Sequence, residues 1–370
     1  MRIVSVSTWY PQAIESALIG TEGLGYADTL SRFEDALFGS DLLWSGALRY
    51  ETGWAVQDVI ANAWSLQRKW KRENAMDGSC ETTSEDPRVG ERLILNAQLK
   101  AFAPDVVVLQ DTNALDDEQL DALRAAGVLL VAQISCPMPR ASAVARLDLA
   151  FTSFPHYVDR LRRMGVGSVE FLPLAFEPTV VKRVLGPAGQ PARDIEVSFV
   201  GGVGRNLHWA EGTDALEELA RGMGSDRLCW YGYGKDRLAD DSPLLPCWRG
   251  EAWGRDMYRV CLRSRVVVNR HGEVARGSGN NLRQYESTGC GACLVTDQPG
   301  QFRAGKECIV YEHPSRIVEA VLRALNDDDE RRRITAAGNG AALEFHTYAK
   351  RMPTVAMAIG DKLKARRKRG

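Results

Sequence analysis

Apolar and polar positions are most sharply separated over residues 264–297. A β-branched run, Arg265 to Val268, predicts a parallel strand buried on both faces. It gives way to a polar series: Asn269, Arg270, His271, Gly272 and Glu273. The glycine turn Gly277–Asn280 then opens a short helical stretch that carries Arg283 and Glu286. Gly289 stands where a C′ residue would stop that helix. Ala292–Thr296 predicts a second strand, closed by Asp297. Strand, glycine turn, helix, glycine and strand make one βαβ unit.

The same alternation runs through most of the chain. Arg2–Ser7 predicts a first strand. From residue 91 the order is helix 91–102, strand 106–110, helix 116–126, strand 128–134, strand 149–152, helix 156–164 and strand 169–172. Residues 173–193 are rich in proline and read as a linker. Beyond them come strand 195–200, helix 213–222, strand 227–231, helix 252–263, the central unit, a short strand at 308–311, and helices at 314–325, 328–342 and 346–369. This pattern means parallel sheets covered by helices. It divides the chain into an N-terminal Rossmann-like domain (1–175), a C-terminal one (176–345), and a final helix with a basic tail (346–370). Residues 9–80 are less regular. Helical segments are expected at 27–38 and 55–74, among five tryptophans (Trp9, Trp44, Trp54, Trp64, Trp70) that either pack a helical insertion or line a sugar-binding surface. Residues 74–90 read as a polar loop.

Composition narrows the function. With 45% hydrophobic residues, 26% charged and a net charge of −1, the chain is ordinary for a globular protein and offers no electrostatic case for nucleic acid. No apolar run reaches the ~18 residues of a membrane helix. MRIVSVSTWY lacks a signal-peptide pattern, which points to the cytoplasm. The eight cysteines are scattered, and the CxxC at Cys290–Cys293 follows a helix instead of opening one, so packing thiols are expected. There is no GxSxG, HExxH or EF-hand loop. Asp327–Asp329 has the form of a metal-binding Asp-x-Asp pair but precedes a helix, where it reads as acidic capping. No metal site or cofactor is expected. Six of the eight residues Lys362–Arg369 are basic and read as a solvated tail.

Chemistry concentrates where the central strand ends. In open α/β sheets, ligands sit outside the carboxyl ends of the strands. Backbone N–H groups of a helix start, here at Asn280 and Asn281, attract phosphate. Arg283 and Glu286, three residues apart on one helix, suit a diphosphate beside a sugar hydroxyl. His271 sits where a polar side chain can face a bound ligand and bond a phosphate or a sugar. On the first domain, Gln133, Ser135 and His156 are polar strand-end candidates for contact with a second substrate.

The segments NNLRQYESTGCGACLVTD and HTYAKRM (346–352) resemble the C-terminal domain of CgeB-like, spore-maturation-protein-like glycosyltransferases. Those belong to the GT-B group of nucleotide-sugar-dependent enzymes. The similarity extends over about 195–352 and, more faintly, 148–176. It implies a GT-B-like α/β fold, with two Rossmann-like domains facing a cleft and a C-terminal helix crossing back. It also implies transfer of a sugar from a nucleotide diphosphate sugar to the hydroxyl of a glycan, protein or small-molecule acceptor, with retention and without metal. On this likeness the loop Gly201-Gly202-Val203-Gly204 bends against the donor diphosphate and Arg205 supplies positive charge. The loops after Tyr231 and around Arg249 bracket the base, and Glu286 accepts hydrogen bonds from the ribose. Many relatives carry an acidic residue eight positions before that glutamate. Here the position is Ser278, and Glu273 is the candidate to fill the role. Two other readings stay open: a GT-B-type epimerase, which needs no acceptor, and a non-catalytic nucleotide-sugar-binding module.

Overall fold

The computed structural model describes residues 1–74, 87–204 and 210–368. Arg205, Cys80 and most of the polar stretch 74–90 lie outside the described residues. The chain forms two compact units: Met1–Leu172 together with Arg351–Gly370, and Pro173–Lys350. Each is built on one parallel sheet.

In the first unit, six strands lie side by side in the order β2-β1-β3-β4-β5-β6. They are β1 (Arg2–Ser7), β2 (Ala55–Ile60), β3 (Val106–Leu109), β4 (Leu129–Ile134), β5 (Leu149–Thr152) and β6 (Val169–Phe171). All neighbours run parallel. The sequence places a helix over 55–74, whereas the structure divides it into the edge strand β2 and a helix at Trp64–Glu73. Asp58 in mid-strand hides the strand pattern. Its buried carboxylate is met by Arg49, 3.0 Å away, so a charge sits where alternation predicts an apolar residue. The connection from β1 to β2 carries three helices, Pro11–Leu18, Tyr26–Ala36 and Asp41–Thr52. Trp9 packs there on Phe33, 5.2 Å between ring centres, and Trp9, Trp44 and Trp70 are buried. These three rings are core, held by apolar burial.

In the second unit, five parallel strands lie in the order β11-β10-β9-β7-β8. They are β7 (Ile195–Val200), β8 (Leu228–Tyr231), β9 (Ser264–Asn269), β10 (Cys293–Thr296) and β11 (Ile309–Val310). The central β9 has Val266, Val267 and Val268 all fully buried, as a strand covered on both faces requires. Residues 173–193, expected as a linker, include the helix Thr179–Leu185. The helix Leu282–Gly289 connects β9 to β10 and includes Gly289 itself; the left-handed turn falls at Gly291, φ +69°. Gly289 is glycine for another reason. A Cβ there would lie 2.4 Å from the Phe176 ring.

Asp327 caps the helix Asp328–Phe345, its side chain accepting from the Glu330 N–H at 2.8 Å. The last helix, Tyr348–Arg367, begins in the second unit, and its residues from Arg351 on belong to the first. Among the described residues no helix is long and apolar enough to cross a membrane. Of the described cysteines, Cys247, Cys261, Cys290, Cys293 and Cys308 are buried free thiols.

Candidate active site at the end of the second sheet

The strand order of the second sheet reverses between β7 and β9, which pair although β8 separates them in sequence. Chain leaving β7 and chain leaving β9 turn to opposite sides of the sheet, and the gap between them is where open α/β sheets bind ligands. Beyond β7 lies the loop Gly201–Gly204. Beyond β9 lies the polar series from Arg270.

His271 is the most constrained residue of that series. Its backbone N–H donates to Asp297 Oδ2 at 2.9 Å, and its Nδ1 lies 2.6 Å from Asp297 Oδ1. Asp297 follows β10, the strand beside β9, so adjacent strand ends set the contact. Burial pushes the Asp297 carboxyl up, but bonds from the His271 ring and backbone outweigh it and hold the group below its usual value. An ionised carboxylate only accepts, so Nδ1 carries the proton toward it. Nε2 is left buried with no hydrogen-bond partner among the described residues. The neighbouring Arg270 is buried as well. Its Nη2 donates to Gly202 O at 2.6 Å, its guanidinium lies 5.5 Å from the Phe199 ring centre, and burial lowers its pKa to about 10.

The helix Leu282–Gly289 is moored to the same strand end. Asn281 caps it by accepting from the Gln284 N–H at 3.3 Å. The Asn281 Nδ2 donates to Asn269 Oδ1 at 2.9 Å and to Arg270 O at 3.0 Å. Asn280 accepts from Tyr285 Oη at 2.8 Å. Arg283 and Glu286 pair as their spacing implies, Nη1 to Oε2 at 2.7 Å. The pair is buried, with side-chain exposures of 19% and 6%. Arg283 Nε also donates to Val200 O at 3.1 Å, and Tyr258 Oη donates to Glu286 Oε1 at 3.4 Å. Both carboxylate oxygens of Glu286 are therefore engaged within the protein. Burial pulls the Arg283 guanidinium down, and the Glu286 carboxylate, with Cys261 and Tyr258, together outweighs it, leaving it above its usual value.

The glycine loops meet backbone to backbone. A Cβ on Gly234 would lie 2.1 Å from Val203 O, and one on Gly202 would lie 2.4 Å from the Tyr233 ring. Gly204, at φ +144°, exchanges hydrogen bonds with Thr213, each 3.1 Å. Beside them Tyr233 stacks on Trp253 at 5.7 Å with planes 9° apart, and Trp248 Nε1 donates to Gly232 O at 2.9 Å. Flat aromatic surface and main-chain loops thus adjoin the switch point, a suitable environment for a heterocyclic base.

The structure brings Gly202, Gly204, His271, Asn280, Asn281, Arg283 and Glu286 to this strand end, directly or through shared hydrogen bonds. Of the other candidates in this unit, Tyr231 ends β8 in register with Val200 of β7. Glu273 is exposed and opens a 3₁₀ turn. Arg249 spends its guanidinium on the carbonyls of Pro246, Trp248 and Ser225, the last lying before β8. The Tyr231 ring lies half-buried, burial above all raising its pKa against the pull of Arg263 and Arg249. On the first unit, Gln133 Nε2 donates to Ser135 Oγ at 2.9 Å, and His156 lies against Tyr157, 4.8 Å between ring centres. Asp297, Tyr233 and Trp253 were not assigned roles from the sequence. For Asp297 the signal was an acidic residue closing a buried strand; for the rings, aromatic residues flanking glycine loops.

Residues 213–356 match the family model described as "Glycosyl transferase-like". No curated protein matches the chain. Among solved structures, the Neisseria meningitidis UDP-GlcNAc 2-epimerase bound to UDP-GlcNAc is similar with TM-score 0.51 and 11% identity, over 98% of this chain and 100% of that one. A putative UDP-N-acetylglucosamine 2-epimerase from Listeria monocytogenes gives 0.56 and 12%, over 98% and 97%. Anabaena HepE in complex with UDP-glucose gives 0.56 and 10%, over 98% and 100%. At such identities the likeness is one of fold: α/β with two Rossmann-like domains of the GT-B kind.

Proposed function

We propose that the chain is a nucleotide-sugar glycosyltransferase whose donor site lies beyond β7 and β9, with a uridine diphosphate sugar as donor and a hydroxyl as acceptor. The observation that carries the reading is His271: a buried imidazole at the switch point, fixed by Asp297 through Nδ1, with Nε2 unengaged. The glycosyltransferase-like match over 213–356 and the UDP-sugar ligands of the similar structures support the same chemistry.

On this reading the bond from the anomeric carbon to the β-phosphate oxygen breaks while the acceptor oxygen bonds that carbon. The departing diphosphate takes the acceptor proton on the same face, so configuration is retained and no protein nucleophile is required. His271 Nε2 accepts a hydrogen bond from a donor sugar hydroxyl, or, once protonated, donates to the leaving phosphate. Asp297 holds the ring in one tautomer for either role. The N–H groups at the start of Leu282–Gly289 and the loop Gly201–Gly204, with Arg205, stabilise the diphosphate as charge develops on it. Arg283 and Glu286 hold the helix in place, and Glu286 is the residue nearest in kind to the ribose-binding glutamate of the relatives.

A second reading is favoured by a specific observation: two of the similar structures are UDP-GlcNAc 2-epimerases. Incubation with a panel of nucleotide sugars separates the readings. Release of free nucleotide diphosphate, increased by an acceptor, is the transferase result. An altered sugar still attached to its nucleotide means an epimerase. Binding without turnover over the whole panel would overturn both in favour of a binding module.

A further inference from the structure

The amino edge of the second sheet carries a second charged concavity, roughly 15–20 Å along the strands from His271 at the ~3.3 Å rise of a parallel strand. A cavity of about 460 Å³ is lined there by Arg193, Arg265, Arg331, Arg332, Gly291 and Asn339, among others. Arg193 precedes β7, Arg265 is the second residue of β9 and Gly291 precedes β10. The pocket thus spans the entries of three adjacent strands.

Its charge is unbalanced. Asp328 is the shared carboxylate: it lies 3.0 Å from Arg265, 2.6 Å from Arg331 and 3.5 Å from Arg332. Asp329 adds only a remote contact to Arg332 at 3.8 Å from a carboxylate that is 97% exposed. Arg193 pairs with no carboxylate among the described residues. Its guanidinium donates to the carbonyls of Ser264 at 2.6 Å, Cys290 at 2.8 Å and Cys261 at 3.3 Å. Burial lowers its pKa from the ordinary guanidinium value. Gly291 turns with φ +69°, and a Cβ there would come within 3.0 Å of Arg193 Nη2. Three of the four guanidinium groups share Asp328, with Glu196 acting on Arg265 from further off, so an entering anion meets a surplus of positive charge. Guanidinium forks match phosphate oxygens in geometry as well as charge.

We propose that this pocket binds a small phosphorylated molecule bearing two or more phosphate charges, at a site separate from the donor site. Arg265 and Arg332 form its accessible wall and Arg193 and Arg331 its floor. Their side-chain exposures of 32%, 72% and 10% for Arg265, Arg332 and Arg331 set this order.

The probe is inorganic pyrophosphate, titrated calorimetrically at low ionic strength into the full chain and into an Arg265→Ala/Arg332→Ala variant. The expected result is saturable binding that weakens by about tenfold or more in the variant, as loss of charge-assisted bonds implies. Phenylglyoxal labelling read by mass spectrometry supplies a second measurement on the unmodified chain, and it stands even if the double variant folds poorly. Pyrophosphate should slow labelling of Arg265 and Arg332, and inorganic phosphate should do so less. Equal affinity in both proteins, absence of saturable binding, or labelling of these two arginines that pyrophosphate leaves unchanged would each overturn the proposal.

Discussion

Replacing Glu286 by alanine tests how the donor-site helix is held. The glutamate has 6% of its side chain exposed and its partner Arg283 has 19%, so the pair is largely shielded from solvent. Removing one member leaves a buried cation with the Val200 carbonyl and the Cys261 thiol but no carboxylate beside it. Breaking a buried pair in this way costs about 3–5 kcal/mol. For a unit of this size 1 kcal/mol shifts Tm by about 2–4 °C, so Glu286→Ala should lower Tm by roughly 6–20 °C. Glu286→Gln keeps the shape and one acceptor oxygen. Hydrogen bonds to a charged group exceed neutral ones by about 1 kcal/mol, so that variant should fall by only about 2–4 °C. A double Arg283→Met/Glu286→Leu variant should recover most of the loss, because apolar replacement of a whole buried pair is often neutral. With Arg283→Met and Glu286→Leu also made singly, scanning calorimetry closes the cycle that gives the coupling. Parallel titrations with UDP and 2′-deoxy-UDP separate support from contact. A carboxylate that only supports the helix weakens both ligands equally when mutated, whereas one that touches the ribose costs less for the deoxy ligand. A Tm loss for Glu286→Ala below about 2 °C, with no recovery in the double variant, would refute the buried-pair argument.

Other expectations follow from the same geometry. His271→Ala should reduce turnover by about 10²–10⁴-fold, the usual worth of a positioned acid–base group, and Asp297→Asn should reduce it less while displacing the pH–rate profile; an unchanged profile would separate the dyad from catalysis. Because the folded Asp297 carboxyl titrates below its unfolded value near 3.9, its stabilisation is complete above that pH and fades as pH falls through the lower folded value. The stability gap between wild type and Asp297→Asn should therefore narrow in acid, and urea melts showing a pH-independent gap would contradict the assignment. Gly202→Ala sets a methyl against the Tyr233 ring and should cost about 1–3 kcal/mol, recovered in part by adding Tyr233→Ala; circular dichroism melts without recovery would place the clash elsewhere. Turnover should survive EDTA, since Asp327 is committed to a helix cap and Asp328 to three arginines. Loss of turnover restored by manganese would show a metal requirement.

The second sheet was legible because β7 and β9 are short valine-rich runs, a local pattern that burial on both faces of the central strand enforces. Beyond β1, which was read with its observed bounds, the stretch around residues 40–74 was not. There β2 holds a charged side chain in its middle, and the ion pair that makes this tolerable comes from a neighbouring helix, which no window of sequence contains. His271 could be picked out by its place after a buried strand. Its partner Asp297 lies 26 residues later, brought alongside only because β9 and β10 pair in register. The Arg283–Glu286 spacing announced contact but not burial. Burial depends on Tyr258 and the end of β7, which pack onto the helix from elsewhere in the chain. Gly289 and Gly291 show the same limit: either satisfies a helix-stop rule, yet the turn falls at Gly291 and Gly289 serves the close approach of Phe176.

The last helix has a consequence for how the chain is made. Residues from Arg351 on complete a unit whose other part ends at Leu172. Within that unit Lys362 reaches Gly167 O at 3.0 Å and Arg366 reaches Val128 O at 2.8 Å. On a ribosome adding about 5–20 residues per second, the N-terminal part emerges roughly 10–35 s before the helix that finishes it. The second unit is made during that interval, complete only at Lys350, while the first waits with an unfilled place on its surface. The first unit is thus completed only after the whole of the second has been made. Truncation within the final twenty residues should therefore damage the fold of the opening residues, not of the segment next to the cut.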